Sequence, residues 1–282
     1  MATSDQVIQY LKAQDQLPQL PIALVELQRA LNDPLVRNCD LEQIIMRDPM
    51  LTLEIVRTSN TPKYNQGSRI ESLAEAISRL GMAEVENIGY QVSMSGFNVS
   101  SMVIHSARYL EHALLSGYIA KQLAGVVAQP VSPNLAFMCG IFHDIGVLLM
   151  ASYDDKKLFD VKRANTQSMV SVINSERAIY GVLHPALGGT MLREWGLPRQ
   201  VVMGVAGHHV PTKLKGEDGD YAKITFLAEL GSRYKGKAYG YFPVYEVDLD
   251  QALLALSYFK MTLSDYTELL DQAEETYLGS VV

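Results

Sequence analysis

Residues 135–151 constrain this chain more than any other segment. Fifteen of these seventeen residues are apolar or glycine, and the two exceptions, His143 and Asp144, are adjacent. A helix that is apolar on every side belongs in a protein interior. An ionised carboxylate left there without a partner costs several kcal/mol even after its surroundings relax. Asp144 must therefore be hydrogen-bonded, salt-bridged or bound to a metal ion. A structural Asp–His or Asp–Arg pair inside a helical core is the plainest of these solutions.

The other histidines widen the choice. The chain has six in all. His112 lies on the preceding helical segment, His184 precedes a proline at a helix start, and His208 with His209 ends the apolar stretch 201–207. Five histidines and one aspartate thus fall at helix interiors or ends, each beside an apolar run. Neutral imidazole suits zinc, iron, manganese or nickel, and a carboxylate can bridge two ions. Six such groups exceed the four ligands of a structural zinc. They suit either one ion with supporting histidines or two ions about 3.5–4 Å apart. With Asp144 as the sole anion such a site would be net positive and would attract phosphate or hydroxide. Glu229, in the helical segment around Phe226, offers a second carboxylate.

Nearly every segment reads as helix. Ser4 or Asp5 caps a first helix carrying Val7, Ile8 and Leu11, and Leu24, Leu27 and Leu31 recur at helical spacing. Asp40 caps 41–46, Asp48 followed by Pro49 starts 50–58, and Ser72 with Gly81 brackets 73–80. Helical pattern resumes over 84–94 and 101–127, and Ser132-Pro133 opens the apolar segment. Trp195-Gly196-Leu197-Pro198 separates two more helices, and Asp220 and Ser264 cap others. Only 241–247 carries a weak strand pattern. The expected class is all-α, with 213–220 and 231–241 as surface connections.

Composition removes several functions. Hydrophobic residues at 48% and charged residues at 20% are globular proportions. A formal charge of −7 without a Lys/Arg run argues against nucleic acid as the main partner. No stretch of 18 uninterrupted apolar residues suggests a membrane span. The N-terminus lacks the basic and apolar regions of a signal peptide. Cys39 and Cys139 then read as two buried, reduced thiols of a cytoplasmic protein. Gly231 to Lys237 has the spacing of a phosphate-binding loop, but Ala238 has no hydroxyl for Mg²⁺ and a helix precedes the motif. It reads as a helix exit.

His143-Asp144-Ile145-Gly146, with His112 before it, resembles the signature of the HD superfamily of metal-dependent phosphohydrolases. The fuller pattern is most similar to the HDOD family, a regulatory branch related to the HD-GYP cyclic-dinucleotide phosphodiesterases. Ordered blocks carry that resemblance: Leu17-Pro18-Gln19-Leu20-Pro21, Asn32-Asp33-Pro34, and Ile45 through Thr52. Arg57-Thr58-Ser59-Asn60-Thr61, Ile70 through Ile77, and Leu80-Gly81 continue it, and it extends to His209. It implies an HD-like multi-helical core with an N-terminal helical lobe. The expected organisation is an N-terminal helix (1–16), an HDOD domain over 17–215 divided into lobes 17–100 and 101–215, and helices 216–282 completing the second lobe.

The resemblance also implies ligands. His112 matches the superfamily's first histidine, and His143 with Asp144 its central pair. His184 matches the histidine that serves a second ion in HD-GYP relatives, and His208-His209 their paired histidines. Glu229 stands where the last aspartate is expected. His105 matches no motif position. Iron or manganese leads as the implied ion, with zinc or nickel next. Two departures weigh against catalysis: Val147 stands where HD-GYP enzymes carry a phosphate-contacting lysine, and the Gly-Tyr-Pro signature is absent. The expectation is a bacterial-type signal-transduction protein that binds metal, other signalling proteins and a phosphate-containing small molecule. The alternative is a phosphohydrolase or nucleotide phosphodiesterase, with Asp144 at its catalytic centre and a metal-bound hydroxide as nucleophile.

Overall fold

The computed structural model describes residues 3–17, 22–31, 33–65, 67, 69–95, 99–164, 169–242 and 249–281. Among them every regular element is a helix and no strand occurs, so the chain is all-α. The weak strand pattern at 241–247 falls, beyond Phe242, outside the described residues. Chain contacts define two units: Met1–Leu17 with Asn98–Glu274, and Pro18–Phe97 with Glu275–Val282.

Helix α1 (Ser4–Ala13) belongs to the first unit. Its cap is Thr3 rather than Ser4 or Asp5. The Thr3 hydroxyl accepts from Gln6 N, and the Gln6 side chain accepts from Thr3 N, a reciprocal capping box. Val7, Ile8 and Leu11 form its buried face, and Lys12 pairs with Glu194.

The second unit contains α2 (Ile22–Leu31), α3 (Asn38–Ile45), α4 (Pro49–Ser59), α5 (Leu73–Leu80) and α6 (Met82–Ser95). Helices this short do not persist alone in water. Burial of Leu24, Leu27, Leu41, Ile55, Ile77 and Ile88 holds them, each such side chain contributing about 1.5–3 kcal/mol. Asp48 and Ser72 cap α4 and α5, and Gly81, at φ 76°, ends α5. Asp40 is not a cap: it sits one turn into α3, where its carboxylate accepts from the Arg37 backbone and guanidinium. Cys39 lies on the solvent side of α3, opposite Leu41 and Ile45. Only Cys139 of the two free thiols is buried.

In the first unit, α7 (Ser106–Val126) and α8 (Pro133–Phe142) cross closely at Gly117 and Gly140. A methyl group at Gly140 would run into the backbone of Ser116 and Gly117. The start of α7 falls short of residue 101, because Ser101 accepts from the backbone of Val103 and Ile104 instead. Exposed His105 stands at its N-cap without a side-chain capping bond. The apolar window 135–151 is not one helix. It breaks at His143-Asp144, and α9 (Ile145–Ala164) begins after them. The Gly140 carbonyl, which a continuous helix would offer to Asp144 N, is taken by His143 Nδ1 at 2.8 Å. Pro133–Ala164 is together long and apolar enough to cross a membrane, yet 89% of its apolar window is buried inside the protein. A second break in α9, at Asp154, leaves carbonyls of Met150 and Asp154 that accept from the Tyr180 hydroxyl.

Six further helices follow: α10 (Met169–Ile179), α11 (His184–Glu194), α12 (Arg199–Gly207), α13 (Gly216–Tyr234), α14 (Leu249–Tyr258) and α15 (Leu263–Val281). Residues 216–220 are the first turn of α13, not a loop. Asp220 is buried there and accepts from Tyr258 OH at 2.6 Å, so it caps nothing. The cap of α15 is Thr262, whose hydroxyl accepts Asp265 N–H at 3.1 Å, rather than Ser264. The segment after α13 is no surface connection either: Tyr239, Tyr241 and Phe242 are buried.

Candidate metal centre

The break between α8 and α9 puts His143 and Asp144 in the interior of the first unit, 0% and 1% exposed. Close crossing of α7 on α8 brings His112 alongside. Gly146 admits the start of α11, since a methyl group there would run into the His184 backbone carbonyl. His184 thereby stands at the first turn of α11, while His208 caps the C-terminus of α12 and His209 follows it. Glu229 projects from α13, a helix buried along most of its length. Of these seven side chains only His209 exceeds 2% exposure, at 7%.

Two groups of ligand-type atoms result, and Asp144 belongs to both. His112, His143 and Asp144 form one; Asp144, His184, His208 and His209 form the other; within each, the atoms lie within 4.8 Å of one another. His112 Nε2 is 3.1 Å from His143 Nε2, which is 3.2 Å from Asp144 Oδ2. On the other side His184 Nε2 is 3.0 Å from His209 Nε2 and 3.3 Å from Asp144 Oδ1. Glu229 joins neither group. Its Oε2 lies 3.7 Å from His209 Nδ1 and 4.0 Å from His208 Nε2, and its Oε1 is 3.5 Å from Arg233.

The second nitrogen of each ring reveals what the first can do. His143 Nδ1 and His208 Nδ1 donate to the carbonyls of Gly140 (2.8 Å) and Val205 (2.6 Å). His184 Nδ1 donates to Glu176 Oε1 at 2.7 Å, and the other Glu176 oxygen accepts His184 N–H at 2.9 Å. His112 Nδ1 meets the Ser232 hydroxyl at 3.0 Å, and that hydroxyl is itself within donating distance of the His112 carbonyl. When neutral, these four rings all turn an Nε2 lone pair inward. Asp144 Oδ1 and His208 Nε2 are buried, 3.8 Å apart, and neither makes a well-formed hydrogen bond, with His184 Nε2 3.3 Å from Oδ1. Two acceptors facing one another are satisfied by a cation, and the donor set of imidazoles and one shared carboxylate fits a first-row divalent ion.

The electrostatics agree. Burial, reinforced by neighbouring histidines, holds His112 and His208 down to about 3 and His209 well below its ordinary value, so these rings are neutral. For His184 burial opposes charge, but Glu176 and Asp144 outweigh it and raise the ring to about 10. His143 is raised in the same way, by Asp144 against burial. Burial pushes Asp144 up, yet His143 and His184 hold it well below the usual carboxylate range. Burial and the Asp144 charge raise Glu229.

Sequence reasoning overlooked four residues: Glu176, Ser232, Tyr239 and Tyr241. Tyr239 OH donates to Asp144 Oδ2 and Tyr241 OH to Glu176 Oε1, each at 2.7 Å. Their only signal was chemical type, because nothing in their spacing sets them apart from other polar residues.

Comparison with known proteins places the fold and the family. A curated relative, an uncharacterised protein of Treponema pallidum (strain Nichols), is 25% identical over 195 residues, 69% of this chain. The chain spans only 38% of that relative's length. Among solved structures, an HDOD domain protein with unknown function from Geobacter sulfurreducens matches with a TM-score of 0.74 at 17% identity, covering 97% of this chain and 94% of its own. A Shewanella amazonensis SB2B protein named "Putative phosphohydrolase" matches with a TM-score of 0.71 at 19% identity, covering 96% and 95%. At these identities the likeness is one of fold. The HDOD domain family matches residues 17–211, and the chain belongs to that family.

Proposed function

We propose that this is a cytoplasmic regulatory protein, in which a centre for one or two divalent ions stabilises the HD-like unit and signals its occupancy to protein partners. The observation that carries the reading is the buried, facing pair Asp144 Oδ1 and His208 Nε2, where two groups of ligand-type side chains meet. The ligands would be His112, His143 and Asp144 on one side, and Asp144, His184, His208 and His209 on the other, with Glu229 beside the latter. Two nitrogens about 2.0–2.1 Å from one ion lie about 3.0 Å apart at a right angle, and about 3.4 Å apart at a tetrahedral angle. The separations of 3.1 and 3.0 Å lie within the span that one shared ion allows. Two ligand groups that share Asp144 offer more donors than the four of a closed tetrahedral zinc site, which supports iron, manganese or nickel.

Hydrolysis is the second reading, favoured by the carboxylate shared between two ligand groups. A bound ion pair would supply it by lowering the pKa of a coordinated water toward about 7. The residues of this chain support it less. Val147 is buried and uncharged where a phosphate-binding cation would be needed. The rings of Tyr239 and Phe242 lie 5.3 Å from His112 and 5.5 Å from His184, where an incoming phosphate would have to pass or displace them.

Elemental analysis of the purified protein tests the first reading. Iron, manganese, nickel or zinc is expected, with less in His143→Ala; metal-free wild type after growth in metal-rich medium ends it. The same sample is assayed on phosphomonoesters, nucleotides and cyclic dinucleotides. Turnover above that of the His143→Ala, Asp144→Ala double variant would favour hydrolysis.

A further inference from the structure

The segment that leaves α13 reaches both halves of the centre without supplying a ligand to either. It turns at Gly236 (φ 78°) and Gly240 (φ 97°), backbone conformations that favour glycine. Those turns carry Tyr239 and Tyr241 inward, each 2% exposed. Tyr239 OH donates to Asp144 Oδ2 at 2.7 Å and leaves Oδ1 directed at His184 and His208. Tyr241 OH donates to Glu176 Oε1, the same oxygen that accepts His184 Nδ1–H. Phe242 lies against His184 and His209, with ring centres 5.5 and 6.0 Å away. Asp144 and Glu176 are buried, and hydrogen bonds to buried carboxylates fix the groups they reach.

We propose that residues 235–242 form a positioning strap. Tyr239 sets the orientation of Asp144, which both ligand groups share, and Tyr241 sets Glu176 and through it His184. This deepens the metal-binding reading and rests on it. Tyr109 gives the contrast: its ring meets Tyr239 edge-on at 5.1 Å, but its hydroxyl has no hydrogen-bond partner. A tyrosine that merely packs should behave like Tyr109, and a positioning tyrosine should not.

The test titrates Co²⁺ into metal-free protein while following its visible absorption, which reports coordination geometry. Tyrosine-to-phenylalanine variants keep the ring, and thermal melts followed by circular dichroism check that they fold. Tyr241→Phe should weaken Co²⁺ binding at the His184 side by about 10–100-fold, the usual cost of losing an outer contact, and leave the other side unchanged. Tyr239→Phe should weaken both sides and shift the absorption band. If wild type takes a single ion, Tyr239→Phe must still weaken it, because Asp144 belongs to either group. In a Glu176→Gln background Tyr241→Phe should add nothing, and Tyr109→Phe should leave affinity and spectrum as in wild type. Wild-type affinities and spectra in both Tyr239→Phe and Tyr241→Phe would overturn the strap while leaving metal binding intact, as would a Tyr109→Phe effect as large as theirs. A wild-type protein that takes up no Co²⁺ overturns the metal reading and the strap with it.

Discussion

The two sides of the centre share Asp144 but are supported in different ways. On the first, His112 and His143 lean on a serine hydroxyl and a backbone carbonyl, both neutral. On the second, His184 leans on Glu176, a carboxylate that is itself held by Tyr241, and Glu229 stands close to His208 and His209. A neutral contact orients a ring and fixes its tautomer. A carboxylate also makes the ring more basic and brings negative charge toward the ion. The second side should therefore bind its ion more tightly than the first, and the proton on His184 that Glu176 holds there must leave as the ion enters.

The largest effect tests what the two sides have in common. Asp144→Asn keeps the shape of the residue but removes the only charge that both sides use. Both ions should be lost, with residual affinity down by at least about 100-fold, as read by calorimetric titration of Mn²⁺ or Fe²⁺. Retention of either ion at wild-type affinity would show that the sides are independent sites. Next comes Glu176→Gln, which should weaken the second side by about 10–100-fold and spare the first. The proton count sharpens this. His184 is raised to about 10, so the ion-free protein at neutral pH holds a proton that an incoming ion must expel. Affinity at that side should rise with pH up to about 10, and proton release should show in titrations run in buffers of different ionisation enthalpy. In Glu176→Gln, His184 loses its largest source of added basicity, and the released proton should disappear with the affinity.

The same contrast explains what could be read from the sequence. Asp144 was conspicuous because a carboxylate inside 135–151 is costly wherever that segment folds, and the histidines drew notice because each adjoins an apolar run. Glu176 had no such signal: in Ile173-Asn174-Ser175-Glu176-Arg177 it looks like one acid on a polar helix, and only tertiary packing buries it to 0% exposure. Ser232, Tyr239 and Tyr241 fell in a stretch whose glycines and lysines read as a surface connection. Ser232 is buried by the packing of α13, the two tyrosines by the two glycine turns, and local pattern does not disclose where a turn sends the chain. The helix break at His143-Asp144 was hidden for the opposite reason. No glycine or proline marks it, and the His143 side chain satisfies the carbonyl it exposes. All-α architecture was legible because it rests on apolar spacing and caps. Boundaries such as those of α3, α13 and α15 moved by a few residues, because several polar side chains near each helix start compete to cap it.

Ser232→Ala is the smallest change and the most direct probe of neutral support. The hydroxyl meets His112 Nδ1 at 3.0 Å and lies 3.2 Å from the His112 carbonyl, so its loss removes one acceptor from a buried ring that keeps the Lys237 backbone beside it. A buried hydrogen bond lost in this way costs about 0.5–1.5 kcal/mol, which should show as a lower melting temperature in the ion-free protein. The effect on the ion should be smaller than that of Glu176→Gln, because no charge is removed and His112, held down to about 3 and so neutral at neutral pH, neither gains nor loses a proton. The expected result is a several-fold loss at the first side, with the proton count unchanged. If Ser232→Ala instead altered proton release, His112 itself would carry a proton in the ion-free protein, and the distinction between neutral and carboxylate support would fail at the residue where it is simplest.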